Sequence, residues 1–167
     1  RIQTHPHPPL DFIELAHLPR PVTTPTLRMP VLAIATGTGI APIRAYFTER
    51  HFFNKDAQNI LFYGGRSKFA DFYFAEEWKK MKVEVYTAFS RDQKEKIYVQ
   101  DVIRREYKKI CSLFNHGVIL CVCGSAGKMP VAVRSAICDA LMQGGLAHTE
   151  TAAKEIVNRT YKWEEVW

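Results

Sequence analysis

The chain has 167 residues, enough for one domain with a sizeable core and little more, and its apolar fraction of 47% is that of an ordinary globular protein. No uninterrupted apolar stretch approaches the roughly 20 residues of a membrane span, and no signal peptide is visible. The formal net charge is +6, with much of the imbalance between Arg91 and Lys109; the basic residues there are not interleaved with aromatic ones, so a solvated helix face is the reading and nucleic acid is not an expected partner.

Residues 1–30 hold seven of the nine prolines and no glycine, and neither a helical nor a strand period survives there. They read as an extended linker or the tail of a preceding domain. His5 and His7 flank Pro6, a pattern commoner in exposed linkers than in metal sites. Because the first residue is Arg1 and not methionine, the chain reads as a processed product or a piece of something longer.

From Pro30 onward strand and helix patterns alternate. A strand at 31–35 precedes a helix at 42–53, and a strand at 59–63 precedes a helix at about 70–80. A third strand at 83–89 leads to a helix at 99–111, and a fourth at 118–123 to a long helix at about 128–142 closed by Gly144-Gly145. A helix near 149–158 and a last short strand within 159–167 complete the chain. Repeated βα units imply a doubly wound α/β fold with a mainly parallel, five-stranded sheet covered by helices on both faces. In such sheets ligands sit at the carboxyl ends of the strands. That rule selects residues 36–42, 64–66, 90–96 and 124–129.

Four cysteines are present: Cys111, Cys121, Cys123 and Cys138. Cys121 and Cys123 alternate along an apolar strand and so point to one face. No second close pair exists to complete a structural zinc site, so no metal is expected, and buried thiols of a reducing, cytoplasmic compartment are the reading.

The run Val31-Leu32-Ala33-Ile34-Ala35-Thr36-Gly37-Thr38-Gly39-Ile40-Ala41-Pro42 carries the chemistry. A buried strand ending in glycines at a helix N-terminus gathers unpaired backbone N–H groups and the positive end of the helix dipole at one point, which suits phosphate. A tight βα turn without a ligand is the alternative. There is no lysine of a Walker A loop, and Pro42 stands where the dinucleotide fingerprint has its third glycine. After the second strand comes Arg66, where a carboxylate would accept from a ribose 2′-hydroxyl and repel a 2′-phosphate. The pattern leans away from NAD. The third strand empties into Ser90-Arg91-Asp92-Gln93-Lys94-Glu95-Lys96-Ile97-Tyr98-Val99-Gln100, which reads either as a charged loop or as a pocket for a monoester phosphate beside adenine. Two anion-friendly loops on one sheet edge favour a nucleotide with two separated phosphate groups, namely NADP.

The series Thr-Gly-Thr-Gly-Ile-Ala-Pro (36–42), Phe-Tyr-Gly-Gly-Arg (62–66), Asp-Phe-Tyr (71–73), Ala-Phe-Ser-Arg-Asp-Gln (88–93), Lys-Ile-Tyr-Val-Gln (96–100), Val-Cys-Gly (122–124) and Glu-Val-Trp (165–167) resembles the NADPH-binding, ferredoxin-NADP reductase-like domain of diflavin reductases. That family includes cytochrome P450 reductase, nitric oxide synthase reductase domains and the diflavin oxidoreductase of cytosolic iron–sulfur cluster assembly. Residues 71–78 and 124–130 are most similar to the last of these. The resemblance assigns 31–167 to the NADP(H)-binding domain and 1–30 to a linker or the tail of an FAD domain.

The resemblance also implies roles. Thr36, Gly37, Thr38 and Gly39 would face the pyrophosphate and nicotinamide, with Arg66 on the pyrophosphate. Ser90, Arg91 and Lys96 would hold the 2′-phosphate, Tyr98 would pack on adenine with Gln100 nearby, and Gly124 and Met129 would complete the cofactor contacts. Cys123 matches a family cysteine close to the nicotinamide C4, though it reads equally as a core residue. Trp167 matches the aromatic residue that covers the flavin until nicotinamide displaces it. Glu165 replaces a family aspartate of the hydride-transfer cluster, and Ser125 and Gly127 stand where acidic and basic residues are usual. The flavin-binding Arg-x-Tyr-Ser motif is absent from the chain. The expectation is therefore a domain that binds NADPH without FAD and does not turn over alone. In the full protein NADPH would reduce FAD, then FMN, then an acceptor protein, by resemblance anamorsin-like. Donation to cytochrome P450, or a dinucleotide-binding interaction module without redox turnover, are the other readings.

Overall fold

The computed structural model describes residues 27–166, with the backbone alone for 161–166. The linker reading of residues 1–30, with His5 and His7, therefore lies almost wholly outside the described residues, as does Trp167.

Five parallel strands, β1 (Val31–Thr36), β2 (Asn59–Gly65), β3 (Glu84–Phe89), β4 (Ile119–Gly124) and β5 (Tyr161–Val166), form one sheet in the order β3-β2-β1-β4-β5. The five-stranded, doubly wound sheet expected from the sequence is the one observed. Residues 31–35 are wholly buried because both faces of the central strand are covered. On one face Val31, Ala33 and Ala35 meet α1 (Ile40–Phe53) and α3 (Ala75–Lys80). On the other, Leu32 and Ile34 belong to a larger cluster with α4 (Val99–Arg105), α5 (Tyr107–His116), α6 (Met129–Gln143) and α7 (Glu150–Arg159). Cys121 and Cys123 share the α1 face, as strand alternation requires.

Two expected helices are divided. The segment 70–80 forms a four-residue helix, α2 (Lys68–Asp71), and then α3. Between them the chain leaves helical geometry so that Phe72 packs 6.0 Å from Phe89 and 6.1 Å from Tyr63, and Phe74 packs edge-on to Trp78 at 6.1 Å. Phe74 adopts φ +64°, a left-handed conformation held by those rings and by the Arg44 guanidinium 4.6 Å above it. Trp78 is itself fixed by its indole N–H, which donates to the Tyr73 carbonyl at 2.9 Å. The segment 99–111 extends to His116 but breaks at Glu106.

The basic stretch from Arg91 to Lys109 is partly spent on ion pairs between elements. Arg104 meets Asp139 of α6 at 2.8 Å, and Lys109 meets Glu84 of β3 at 2.6 Å. At the amino end of the sheet the buried Arg50 donates to the Asn59 side-chain oxygen and to the Met29 carbonyl, both at 2.8 Å, fixing where the chain enters β1. Among the described residues no helix is long and apolar enough to cross a membrane.

Candidate functional site

The strand order reverses direction at β1 and β4, so their carboxyl ends splay around a crevice. At Thr36 the chain turns through Gly37, whose φ of +55° favours glycine, into a 3-10 turn, Gly37–Gly39, and then α1. The first turn of α1 has neither an acidic residue nor a side-chain cap; Ile40 spends its N–H on the Thr38 carbonyl and Pro42 has none, so what this end offers an anion is the positive end of the helix dipole with no carboxylate to oppose it. A Cβ on Gly39 would lie 2.6 Å from the Cys123 carbonyl carbon and 2.9 Å from the Gly124 nitrogen. Glycine therefore lets the start of α1 press directly against the end of β4. Gly124 has φ +152°, and a Cβ there would run into the Thr36 hydroxyl and lie 2.7 Å from the end of the Met129 side chain. A Cβ on Gly37 would meet nothing within 4 Å, which leaves open space over the bend.

The second wall comes from the loops after β2 and β3. Backbone pairing continues past the strands: Ser90 N–H donates to the Gly65 carbonyl at 3.1 Å and Arg91 N–H to that of Arg66 at 2.8 Å. Asp71 then folds back and accepts the backbone N–H groups of Arg66 and Ser67 at 2.8 and 2.9 Å. The Ser67 and Arg66 amides, with the Arg66 and Arg91 charges, hold its carboxyl below the usual carboxylate range. Asp92 accepts from the Lys68 N–H at 2.8 Å, tying the two loops together a second time. Tyr63 completes the brace, its hydroxyl donating to the Asp71 carbonyl at 2.7 Å. Burial, and then the Asp71 and Tyr73 charges, push the Tyr63 phenol up to about 12.

Between these walls lies a cleft of about 770 Å³. Of the residues singled out by sequence, Thr36, Gly37, Thr38, Arg66, Ser90, Tyr98, Gln100 and Met129 line it. Gly39 and Gly124 lie beneath, as the packing contacts that shape it. Arg91 and Lys96 stand on the exposed loop after β3 and are not among its lining residues. That loop is braced by the Gln93 amide nitrogen, which donates to the carbonyls of Phe89 at 2.6 Å and Glu95 at 2.9 Å. Arg91 is at the rim, close enough for its charge to act on Asp71. Tyr98 presents a half-exposed ring at the start of α4, its N–H held at 2.8 Å by Asp101.

Cys123 is fully buried in the α1-side core at the end of β4, where its backbone pairs with Ala35 on one side and Glu165 on the other. The two candidates for hydride chemistry are thus neighbours in the sheet ladder. All four cysteines are thiols, and burial pushes the Cys121 thiol well up. Among the described residues no cluster of three or more metal-ligating side chains occurs.

Sequence reasoning gave no site role to Asp71, Tyr73, Ala88, Val99, Lys128 and Ala132, which also line the cleft. Asp71 lay inside a quoted motif without a role, and Lys128 inside a selected loop. The arrangement suits a dinucleotide: open space above a glycine bend, a helix N-terminus without an acidic residue for a diphosphate, a guanidinium at one side, and a half-exposed aromatic ring across the cleft.

An oxidoreductase NAD-binding domain model matches residues 33–135. The NADPH-dependent diflavin oxidoreductase 1 of Aspergillus fumigatus is 43% identical over 136 residues, 71% of this chain and 21% of that protein. Its namesake in Gibberella zeae is 37% identical over 157 residues, 89% of this chain and 26% of that protein. The NADPH–cytochrome P450 reductase of Candida maltosa is 35% identical over 168 residues, 90% of this chain and 23% of that protein. The chain spans about a fifth to a quarter of the length of these curated relatives.

Proposed function

The chain belongs to the oxidoreductase NAD-binding domain family, and from that premise we propose that it is the NADPH-binding domain of a diflavin oxidoreductase serving cytosolic iron–sulfur cluster assembly. The observation that carries the reading is the cleft at the β1/β4 switch point, where the glycine bend, Arg66, Ser90 and Tyr98 converge. Names of relatives that include an NADPH-dependent diflavin oxidoreductase support it. The chemistry NADPH would supply when bound is a hydride; in the full-length protein of this reading FAD, then FMN, then an acceptor protein, anamorsin-like, would receive the electrons.

The chain's own residues bind and orient. The glycine bend with the N-terminal end of α1 and the Arg66 guanidinium take the diphosphate, and the Tyr98 ring stacks on adenine. Ser90 and the rim cations Arg91 and Lys96 take the 2′-phosphate, which draws the exposed loop toward the cleft. Cys123 and Glu165, in register at the ends of β4 and β5, flank the nicotinamide end, and Trp167 gates access to the flavin. The task is positional, since hydride transfer needs donor and acceptor near contact.

Calorimetric titration of the chain with NADPH and NADH tests the reading. NADPH should bind at least about tenfold more tightly, as expected when charge-assisted bonds to a phosphate are added. Equal affinity for the two would overturn the 2′-phosphate assignment.

A further inference from the structure

Lys128 lines the same cleft as Arg66, but from the opposite side of the glycine bend. Arg66 follows β2 and Lys128 follows β4, and β1 lies between those strands in the sheet. Among the described residues the charged ones lining the cleft are Arg66, Asp71 and Lys128. Arg66 and Asp71 offset one another, and Asp71 is bound to the Arg66 backbone. Among these described lining residues Lys128 therefore carries the net positive charge.

Its position is also costly without an anion. Lys128 is the N-cap of the 15-residue α6, the end of a helix where a cation is unfavourable, and the first turn holds no acidic residue and no side-chain cap. At α7, by contrast, Thr149 accepts from the Ala152 N–H at 3.1 Å and Glu150 occupies the first turn. Among the described residues no carboxylate pairs with Lys128. A local rule broken beside a cleft, without compensation among the described residues, points to a functional position.

We propose that Lys128 binds the diphosphate of the dinucleotide opposite Arg66, so that one ammonium and one guanidinium meet its two negative charges. This rests on the dinucleotide reading of the cleft. Lys128 is exposed and its replacement leaves the core intact, so loss of folding does not obscure the result.

The test is titration of the wild-type chain, Lys128→Gln and Lys128→Arg with NADPH and with ADP-ribose, which carries the diphosphate but no 2′-phosphate. Lys128→Gln should weaken both ligands by similar factors of about tenfold, the loss shrinking at high salt, while Lys128→Arg restores most of the affinity. An unchanged Lys128→Gln overturns the proposal. So does a loss confined to NADPH, which would put Lys128 on the 2′-phosphate instead. A wild-type chain that binds neither ligand overturns the dinucleotide reading beneath it.

Discussion

One carboxylate oxygen of Asp71 accepts the backbone N–H of Arg66 at 2.8 Å and, from the next residue, that of Ser67 at 2.9 Å. The residue proposed to meet the diphosphate is thus held through its backbone by an acid five positions later, leaving its side chain free to reach the ligand. Asp71→Ala removes the acceptor of both bonds and should weaken NADPH and NADH alike by roughly three- to tenfold, with Asp71→Asn intermediate because its amide oxygen can still accept. Calorimetry with both nucleotides checks this. A loss confined to NADPH would show that Asp71 acts on the monoester end of the site.

The same carboxylate sets a pH signature. Its folded-state pKa lies below the ordinary value because the Ser67 and Arg66 amides favour the charged form. A depressed carboxylate contributes stability that is fully present above its unfolded-state value and is lost as pH falls through the folded one. The difference in melting temperature between wild type and Asp71→Asn should be constant at neutral pH and shrink only below the ordinary carboxylate range. A difference that shrinks near neutrality would point to a titrating group other than Asp71.

Gly37 and Gly39 are separated by one residue and should fail differently. Alanine at Gly37 meets open space, so its cost is the left-handed backbone alone, about 1–2 kcal/mol. Alanine at Gly39 must displace the Cys123 carbonyl, and backbone cannot swing aside as a side chain does, so the cost should reach about 3 kcal/mol. Urea denaturation ranks the two. Equal destabilisation would mean that α1 shifts off β4 at no cost, and that the close approach is not what Gly39 provides.

What could be read from the sequence, and what could not, follows from where the information lies. The bend at 36–42 was legible because buried strand, glycines and proline follow one another along the chain, and the sheet-edge rule then gathered the four loops without coordinates. The division of 70–80 was not legible, because Phe72 and Phe74 leave the helix to pack on Phe89 and Trp78, partners distant or unranked in the sequence. Asp71 escaped notice because its partners are backbone amides, which every residue has. Lys128 escaped because a lysine in a loop is ordinary, and becomes informative only as the cap of α6 facing a cleft. Arg91 and Lys96 show the reverse limit: their charge was legible, but the direction of an exposed loop was not.

That loop supplies the decisive contrast in coenzyme choice. Arg91 and Lys96 are exposed, so replacing both with alanine leaves the core and the Gln93 brace in place. Nor do they line the cleft that would take the diphosphate, so NADH, which lacks the monoester, should lose almost nothing. NADPH should lose the charge-assisted contacts of both residues, roughly 2–4 kcal/mol together, or a factor of about 30 or more. Titration of the double variant with both coenzymes gives the answer directly. Parallel losses would mean that the two cations act through the general field of the site, and the monoester would then have to be held by Ser90 and its neighbours inside the cleft.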